Sequence, residues 1–558
     1  MNNPWIGYVQ RSYFQMRDAI IAKIKNPLNG IPEITDHSPS NEFIKMVTIW
    51  SGIGEMIGYY LDNNAREAFL ATCRKYASMV KHADDHNYRI HGIVPSSGSV
   101  IFEVSEAAPS PIVIPAGTKV QTAQLIEFLT LEEVTIGIGE TTAEAEIKQW
   151  THVPQFVWGQ SDGSVNQIIT LGADVADNSI AVTVSGSQIF TAVDTFAFSV
   201  PEDRHFVAGL NSSKLMSILF GDDITGEIPQ SAANIELEYY TSLGKGGNVA
   251  INTIIEIVDS ITLPGSLTIE CYNEDATNGG SDVESLEDLR RNIPLSIRTK
   301  MRAVTEQDYR DIAILAPGVA KADVAFDVTT GVTVYIVPVG GGIASTVLLA
   351  AVVDYFDDKR MVTTQVQSKP VGEVRLQIEA IVNVKAGYNR TDTVNIAKAN
   401  ALTLLSWEQA NIKGKLVIGD LYEAFETTEG VDNSQILNIG IIPYPAPTDT
   451  DSVALNWIIE VIDAGSVVNQ WKIQFLDATS YNLFKNNSFI NTYNVDDAVV
   501  RPEIEFTVLT NTYQTNDIYI FNTYPKPDLN QGIIQLDEYS IVVANSADVV
   551  ITGQGGIS

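Results

Sequence analysis

His82 and His86 stand four residues apart on a presumed helix, with Asp84 and Asp85 between them and His91 beyond. An i, i+4 histidine pair can chelate a divalent metal. Ala83 follows His82, so the HExxH form is missing and the pattern reads as a solvated polar helix end. Gly340-Gly341-Gly342 falls between a strand-like and a helix-like run, where phosphate loops occur, but Ser345 takes the last position of a GxGxxG and no Gly-Lys-Ser/Thr follows. A tight turn is expected there. Asn273 to Asp282 is rich in oxygen ligands in an order unlike an EF-hand loop, and reads as a turn entering a helix. The carboxylates of Asp222 and Asp223, followed by Thr225-Gly226-Glu227-Ile228-Pro229, read as an exposed β-turn. Cys73 and Cys271 have neither metal nor redox spacing, and they read as buried or indifferent thiols in a reducing cytoplasm. No nucleophile elbow or Cys/His dyad is visible. No residue is therefore assigned a catalytic, cofactor-binding or metal-binding role, no cofactor is expected, and the chain reads as a non-enzyme.

The elements that carry these residues belong to several domains. The chain has 558 residues, too many for one core, and a prior of about 150 residues per domain gives three to five. Apolar residues make up 45%, which argues against disorder along the whole chain. The net charge of −33 is uneven: residues 1–95 hold ten basic and nine acidic side chains, so nearly all the excess lies beyond them. Such a surface repels phosphate and disfavours both nucleic acid and an anionic membrane as the main partner. MNNPWIGYVQRSYFQMRD lacks the apolar stretch of a secretory signal. The uncharged run 328–353 is split by Pro338 and the glycine triplet, and is expected to form a buried strand, a turn and a packed helix rather than a membrane span.

Residues 10–93 read as helical. Tyr13, Met16, Ile20 and Ile24 form one apolar stripe, ended by Pro27, Gly30 and Pro32. Ser38-Pro39 is expected to start the next helix, whose stripe runs through Phe43, Met46, Val47, Trp50, Ile53, Ile57, Tyr60 and Leu61. A break is expected near Asp62-Asn63-Asn64, with Phe69, Cys73, Tyr76 and Val80 beyond it. These stripes need partners, either one another or helices of another chain. From Ser96 to about Cys271 short strand-like runs such as SVIFEVS, SIAVTVSG and IELEYYTS alternate with turns. Ser281-Asp282-Val283-Glu284 and Thr305-Glu306-Gln307-Asp308 fit capping boxes for two helices, with Pro294 interrupting or kinking the first and Pro317-Gly318 stopping the second. Residues 319–442 alternate strand and helix, with EVRLQIEAIVNVKA as a strand pair or one long strand and helices at Asn395–Trp407 and Ile418–Phe425. From about Pro445 the reading is nearly all β, with fourteen acidic and four basic residues.

The segment 279–324 resembles the baseplate J-like family of contractile tails. The resemblance rests on Gly279-Gly280, Arg290-Arg291, Ala303-Val304-Thr305, Asp308-Tyr309 and Pro317-Gly318-Val319. It extends upstream to Ile114-Pro115-Ala116-Gly117-Thr118, to Ile218-Leu219-Phe220-Gly221-Asp222 with Gly226-Glu227-Ile228-Pro229, and to Gly244-Lys245-Gly246-Gly247-Asn248-Val249. Asp223 departs from the family's usual glycine. The match spans roughly residues 95–440. It implies a structural wedge component, set in six-fold arrays around the tail hub and tube of a virion baseplate assembled in the host cytoplasm. The implied partners are other copies of itself and a smaller wedge protein, joined through a helical bundle. Others are hub, tube and sheath-initiating proteins, with tail-fibre or peripheral baseplate proteins at the C-terminal module. Neither direct nucleic-acid contact nor membrane insertion is expected.

The expected fold class is α+β multidomain. In order it has a helical bundle segment (1–95), β-rich wing-like domains (96–272), central capped helices (273–318), small α/β domains facing neighbouring subunits (319–445), and a C-terminal β-sandwich-like module (446–558). That last module is expected to be dispensable for folding of the rest. An extracellular injection particle or type VI secretion baseplate fits the same pattern. The readings of another class are a β-rich adhesin and a tail-associated glycan hydrolase.

Overall fold

Apolar periodicity builds the first two helices. In the computed structural model α1 spans Tyr13–Ile24 and α2 spans Glu42–Glu67. The structure describes residues 12–26, 30–31, 33–327, 331–407, 409–412 and 416–442. Beyond these it describes 446–447, 457–460, 469–477, 479–486, 488–496, 498–500, 505–508, 518–523, 533–534, 540–544, 546 and 549–557. Pro27 and Pro32, expected to end α1, lie outside the described residues. The chain is an α+β multidomain protein dominated by strands.

Two boundaries in the first helices differ from expectation. Asn41, not Ser38, caps α2: its side chain accepts from the Phe43 amide, while Ser38 closes a turn onto the Asn41 amide. The helix also runs straight through Asp62-Asn63-Asn64 to Glu67. Three polar residues with modest helix propensity do not break a helix already propagated over five turns. The break comes at 68–75. There Glu67 accepts the amides of Arg74 and Lys75, which anchors the start of α3 (Tyr76–Asp85).

The β-rich stretch is not one block. Ser97–Val104 pairs antiparallel with Ile269–Tyr272, so the sequence between them is partly an insertion. Contacts divide the chain into two discontinuous units, where five consecutive blocks were expected. The first contains 1–94, 150–243 and 282–301. Its sheet has seven strands, in the order Thr151–Gln160, Asn234–Thr241, Ala181–Val184, Gln188–Ala192, His205–Leu210, Met216–Phe220 and Ile168–Thr170. Val182, Val184, Phe190, Phe206, Ile218, Phe220, Ile235 and Leu237 fill its core. Helix α4 (Leu286–Thr299) belongs to the same unit, and Leu289 and Ile293 are fully buried on its inner face.

Two expectations for α4 are corrected. Its capping box is Ser285 with Asp288, not Ser281 with Glu284. Pro294 lies inside the helix without interrupting it. The stop is at Lys300 and Met301, both left-handed, with φ of 50° and 52°. Each costs roughly 1–2 kcal/mol for a residue with a Cβ, a strain that the surrounding packing must hold in place.

The second unit contains 95–149, 244–281 and 302–558. A six-stranded sheet centres on Ser97–Val104 and Thr142–Lys148, over a core that includes Val100, Phe102, Phe128 and Ile147. Next comes α5 (Glu306–Leu315), capped by Thr305 with Asp308 as expected. It packs on the hairpin of Val319–Asp327 and Gly331–Pro338. A crossover through α6 (Thr346–Phe356) adds the parallel strand Val366–Pro370. Tyr309 of α5 stacks on Phe356 of α6, with ring centroids 5.6 Å apart. Gly372–Asn389 is one strand of 18 residues. Val374, Leu376, Ile378, Ala380, Val382 and Val384 are all buried, the period-two pattern of a sheet with one covered face. Helices α7 (Arg390–Leu404) and α8 (Ile418–Glu426) cover it through Ala397, Ala401, Leu421 and Phe425. Asn389 caps α7, whose first residue lies five before the expected start at Asn395.

The described C-terminal residues contribute to four sheets, two of them larger than the others. Asn469–Asp477 centres a five-stranded sheet whose buried side chains include Trp471, Phe475, Tyr481 and Tyr519. Ser540–Val543 and Val549–Ile557 instead pair in parallel with Gly372–Asn389, opposite its antiparallel partner Val431–Ile442. The expected module 446–558 is therefore not separable as drawn, because Val542 and Val549 sit in the sheet it was thought to follow.

Candidate functional site: a helix stripe and a glycine junction

In the first unit, α1 packs on α2 and buries Ile24, Ile44 and Val47. The approach is close: a Cβ on Gly54 would lie 2.9 Å from the Met16 sulfur. The packing uses only a narrow strip of α2. Met46, Ile49, Trp50, Ile53, Met56 and Ile57 remain exposed, Trp50 at 66% of its surface, and Tyr59, Tyr60 and Leu61 extend the surface. So many large apolar side chains on an exposed helix face make it the candidate interaction surface of this unit. The sequence stripe through Trp50, Ile53 and Ile57 is thus mostly outside the contact with α1.

The same unit is tied together at Glu284. This carboxylate is buried at 9% exposure. It accepts from the Tyr88 hydroxyl at 2.7 Å, the Asn292 amide at 2.6 Å and the His91 backbone amide at 2.9 Å. Arg290 donates to the Cys73 carbonyl at 2.8 Å. The Tyr76 hydroxyl is pushed up to about 12, by burial and then by Glu284. On the neighbouring strand connection Arg89 Nη2 is 2.8 Å from Asp177 Oδ1, and the His91 imidazole lies 3.7 Å from its other oxygen. Burial alone would raise the Asp177 carboxyl; the nearby His91 imidazole, the Arg89 charge and the Gly92 amide outweigh it and hold it low.

In the second unit three glycine-bearing stretches meet. Asn248 donates its amide to the Gly280 carbonyl and accepts the Gly280 N–H, both at 2.9 Å, as a backbone strand would. Gly279 N donates to the Val339 carbonyl at 3.0 Å, and Val339 N to the Gly318 carbonyl at 2.8 Å. A Cβ on Gly280 would lie 2.4 Å from the Gly244 carbonyl oxygen, and one on Gly318 would lie 2.8 Å from the Gly279 oxygen. Glycine is required here by space as well as by the positive φ of Gly279 and Gly318. Asn278 donates to the Ile343 carbonyl, and the Ser97 and Ser345 hydroxyls share a hydrogen bond of 2.7 Å.

The residues weighed for chemistry scatter. His82 contacts the Glu67 carbonyl at 2.9 Å, His86 ends α3, and His91 faces Asp177. Among the described residues no group of three or more metal-ligating side chains comes together. The glycine triplet forms the turn between Gly331–Pro338 and α6, with Gly340 against Asn248 and Gly341 against Trp407. In the oxygen-rich turn, Asn273 bonds backbone groups at 250, 253, 254 and 275. Burial raises Glu274, helped by Asp275 and Glu144, and raises Asp275. Asp222 accepts from Thr225 and Ile224 as an exposed turn. Both thiols are buried, and burial pushes Cys271 up to about 12. Among the described residues no helix is long and apolar enough to cross a membrane. Sequence reasoning named Glu284 only as a capping residue and Asn248 only within the resemblance; their partners at Tyr88, His91 and Gly280 lie 32 to 196 residues away and leave no local signal.

No protein-family model matches this chain, and no curated protein matches it. Among solved structures it is similar to a chain of the anti-feeding prophage (AFP) baseplate, determined by cryo-EM with six-fold symmetrisation. The match has 13% identity and a TM-score of 0.28, and it covers 78% of this chain and 90% of that one. A TM-score that low does not establish a shared fold.

Proposed function

We propose that the chain is a structural wedge component of a contractile-tail baseplate, of the J-like kind, and not an enzyme. One observation carries the reading. The separated sequence pieces Gly244–Val249, Gly279-Gly280 and Pro317-Gly318-Val319, which carry much of the resemblance, pack against one another in a junction with no room for a Cβ at Gly280 or Gly318. That close packing demands these glycines supports the resemblance. The exposed stripe on α2 supports the assembly role: it offers a bundle face to other copies of the chain and to a smaller wedge partner. The same parts suit a phage tail, an extracellular injection particle or a type VI baseplate.

Co-expression with the baseplate proteins encoded beside it, followed by electron microscopy, tests this. The expected result is a hetero-oligomeric wedge that includes α1 and α2. A chain that stays monomeric with every such neighbour, or that hydrolyses cell-wall or capsule glycans and stops when one carboxylate is changed, ends the proposal.

A further inference from the structure

The inserted seven-stranded sheet carries two loops, 195–204 and 221–229, that are stapled to each other. Gly226 N donates to the Val200 carbonyl at 3.2 Å, and Glu227 N to the Asp203 carbonyl at 2.8 Å. Arg204 Nε lies 3.0 Å from Glu227 Oε2. Each loop is also braced internally. Asp203 accepts from Val200 N at 2.9 Å, and Asp222 accepts from Thr225 N at 2.7 Å and Ile224 N at 3.0 Å. A Cβ on Gly221 would lie 2.2 Å from the Gly226 oxygen, so the second loop is held at its base as well.

On this braced frame stand Phe198, Val200 and Ile224. Phe198 is 92% exposed and Ile224 72%, and neither takes part in the sheet's core. A free phenylalanine on a flexible loop would fold down onto nearby apolar surface. Here the turn Phe196–Phe198, capped by Thr195, sets the backbone. The surroundings are acidic: Glu202, Asp203, Asp222, Asp223 and Glu227 stand against Arg204, and residues 150–243 hold eleven acidic and two basic side chains.

We propose that this tip is a docking site for another protein, one that presents an apolar socket for Phe198 rimmed by lysine and arginine. The ordering cost is already met by the hydrogen-bonded frame, the condition under which one aromatic anchor contributes most to binding. Charge selects the partner. A second copy of this chain would bring the same acidic field, and an anionic bilayer would repel it. The inference stands apart from the baseplate reading, since it uses neither α2 nor the glycine junction.

The test uses the full chain with p-benzoylphenylalanine in place of Phe198, co-expressed with the proteins encoded beside it and irradiated. The expected adduct is to one other protein, on an apolar segment flanked by lysine or arginine, with a yield that falls as salt rises. Binding of that partner should drop about tenfold in Phe198→Ser, whose thermal unfolding should match the parent because the side chain touches little. It should also drop in Glu202→Lys with Asp223→Lys, and recover when the mapped lysines or arginines are changed to glutamate. Several outcomes overturn the proposal: an adduct with a second copy or with lipid, an adduct on a segment lacking basic residues, no adduct, or binding unchanged by Phe198→Ser.

Discussion

At the scale of single residues, the most consequential side chain is Glu284, which gathers Tyr88, His91 and Asn292. Replacing it with alanine should cost about 3 kcal/mol, because buried donors lose a charged acceptor. Tyr88→Phe should cost about 1.5–3 kcal/mol, the range for a hydrogen bond to a charged group. Tyr76→Phe should be near neutral, since that buried hydroxyl has no hydrogen-bond partner among the described residues. Denaturant midpoints of the unit's unfolding transition would rank the three. Asp177 supplies a pH signature. Its folded value lies below the ordinary 3.8, so its stabilisation is present above that pH and is lost as pH falls through the lower folded value. The stability gap between the parent and Asp177→Asn should therefore be constant near neutrality and narrow only below about pH 4. The misread capping box is instructive here. Ser281…Glu284 and Ser285…Asp288 are successive frames of one local pattern, and only the long-range demand for Glu284 in the interior decides between them. Thr305…Asp308 has no such competitor, and it was legible.

At the scale of elements, local pattern specified most helices and strands. The alternation in 374–384 and the stripe of α2 needed nothing beyond their own residues. What stayed hidden was which apolar face is covered within the chain. The α2 stripe looks continuous in sequence, yet α1 takes only a narrow part of it. Trp50→Glu with Ile57→Glu should leave helix content and melting of the isolated chain within a few tenths of a kcal/mol, because both side chains already face solvent. The same pair should abolish co-purification with a wedge partner. The glycine junction gives an internal contrast. Gly280→Ala meets a carbonyl oxygen 2.4 Å away and should cost well over 2 kcal/mol, or prevent soluble expression. Gly342→Ala meets nothing within 4 Å and should cost only the roughly 1–2 kcal/mol of a left-handed alanine. Differential scanning of the two variants separates crowding from backbone strain.

At the scale of the whole molecule, sequence order proved a poor guide to spatial grouping. Composition shifts near Pro95 and Pro445 mark real changes of texture, but each unit recruits strands or helices from distant stretches. Pairing between Ser97–Val104 and Ile269–Tyr272, or between Gly372–Asn389 and Val549–Ile557, leaves no mark that a linear reading can use. Two deletions follow from this. Excising 446–532 and joining the ends with a short Gly/Ser linker should leave a soluble chain, because the 372–389 sheet keeps all its strands. Truncation at 445 should not, since it strips Val542 and Val549 from the core and opens one whole side of that strand. Limited proteolysis and gel filtration of the two products would tell them apart.

That parallel closure also sets a timetable for synthesis. Residue 389 leaves the ribosome about 160 residues before 549 does, a delay of roughly 10–30 s at about 5–20 residues per second. Throughout that interval the longest strand of the protein exposes an open flank in a crowded cell. Polysomes translating one message hold several such flanks close together, each able to template a neighbour's. Slower elongation through 446–540, whether from rare codons or cold, would lengthen the exposure, whereas moving the two closing strands earlier in the gene would end it.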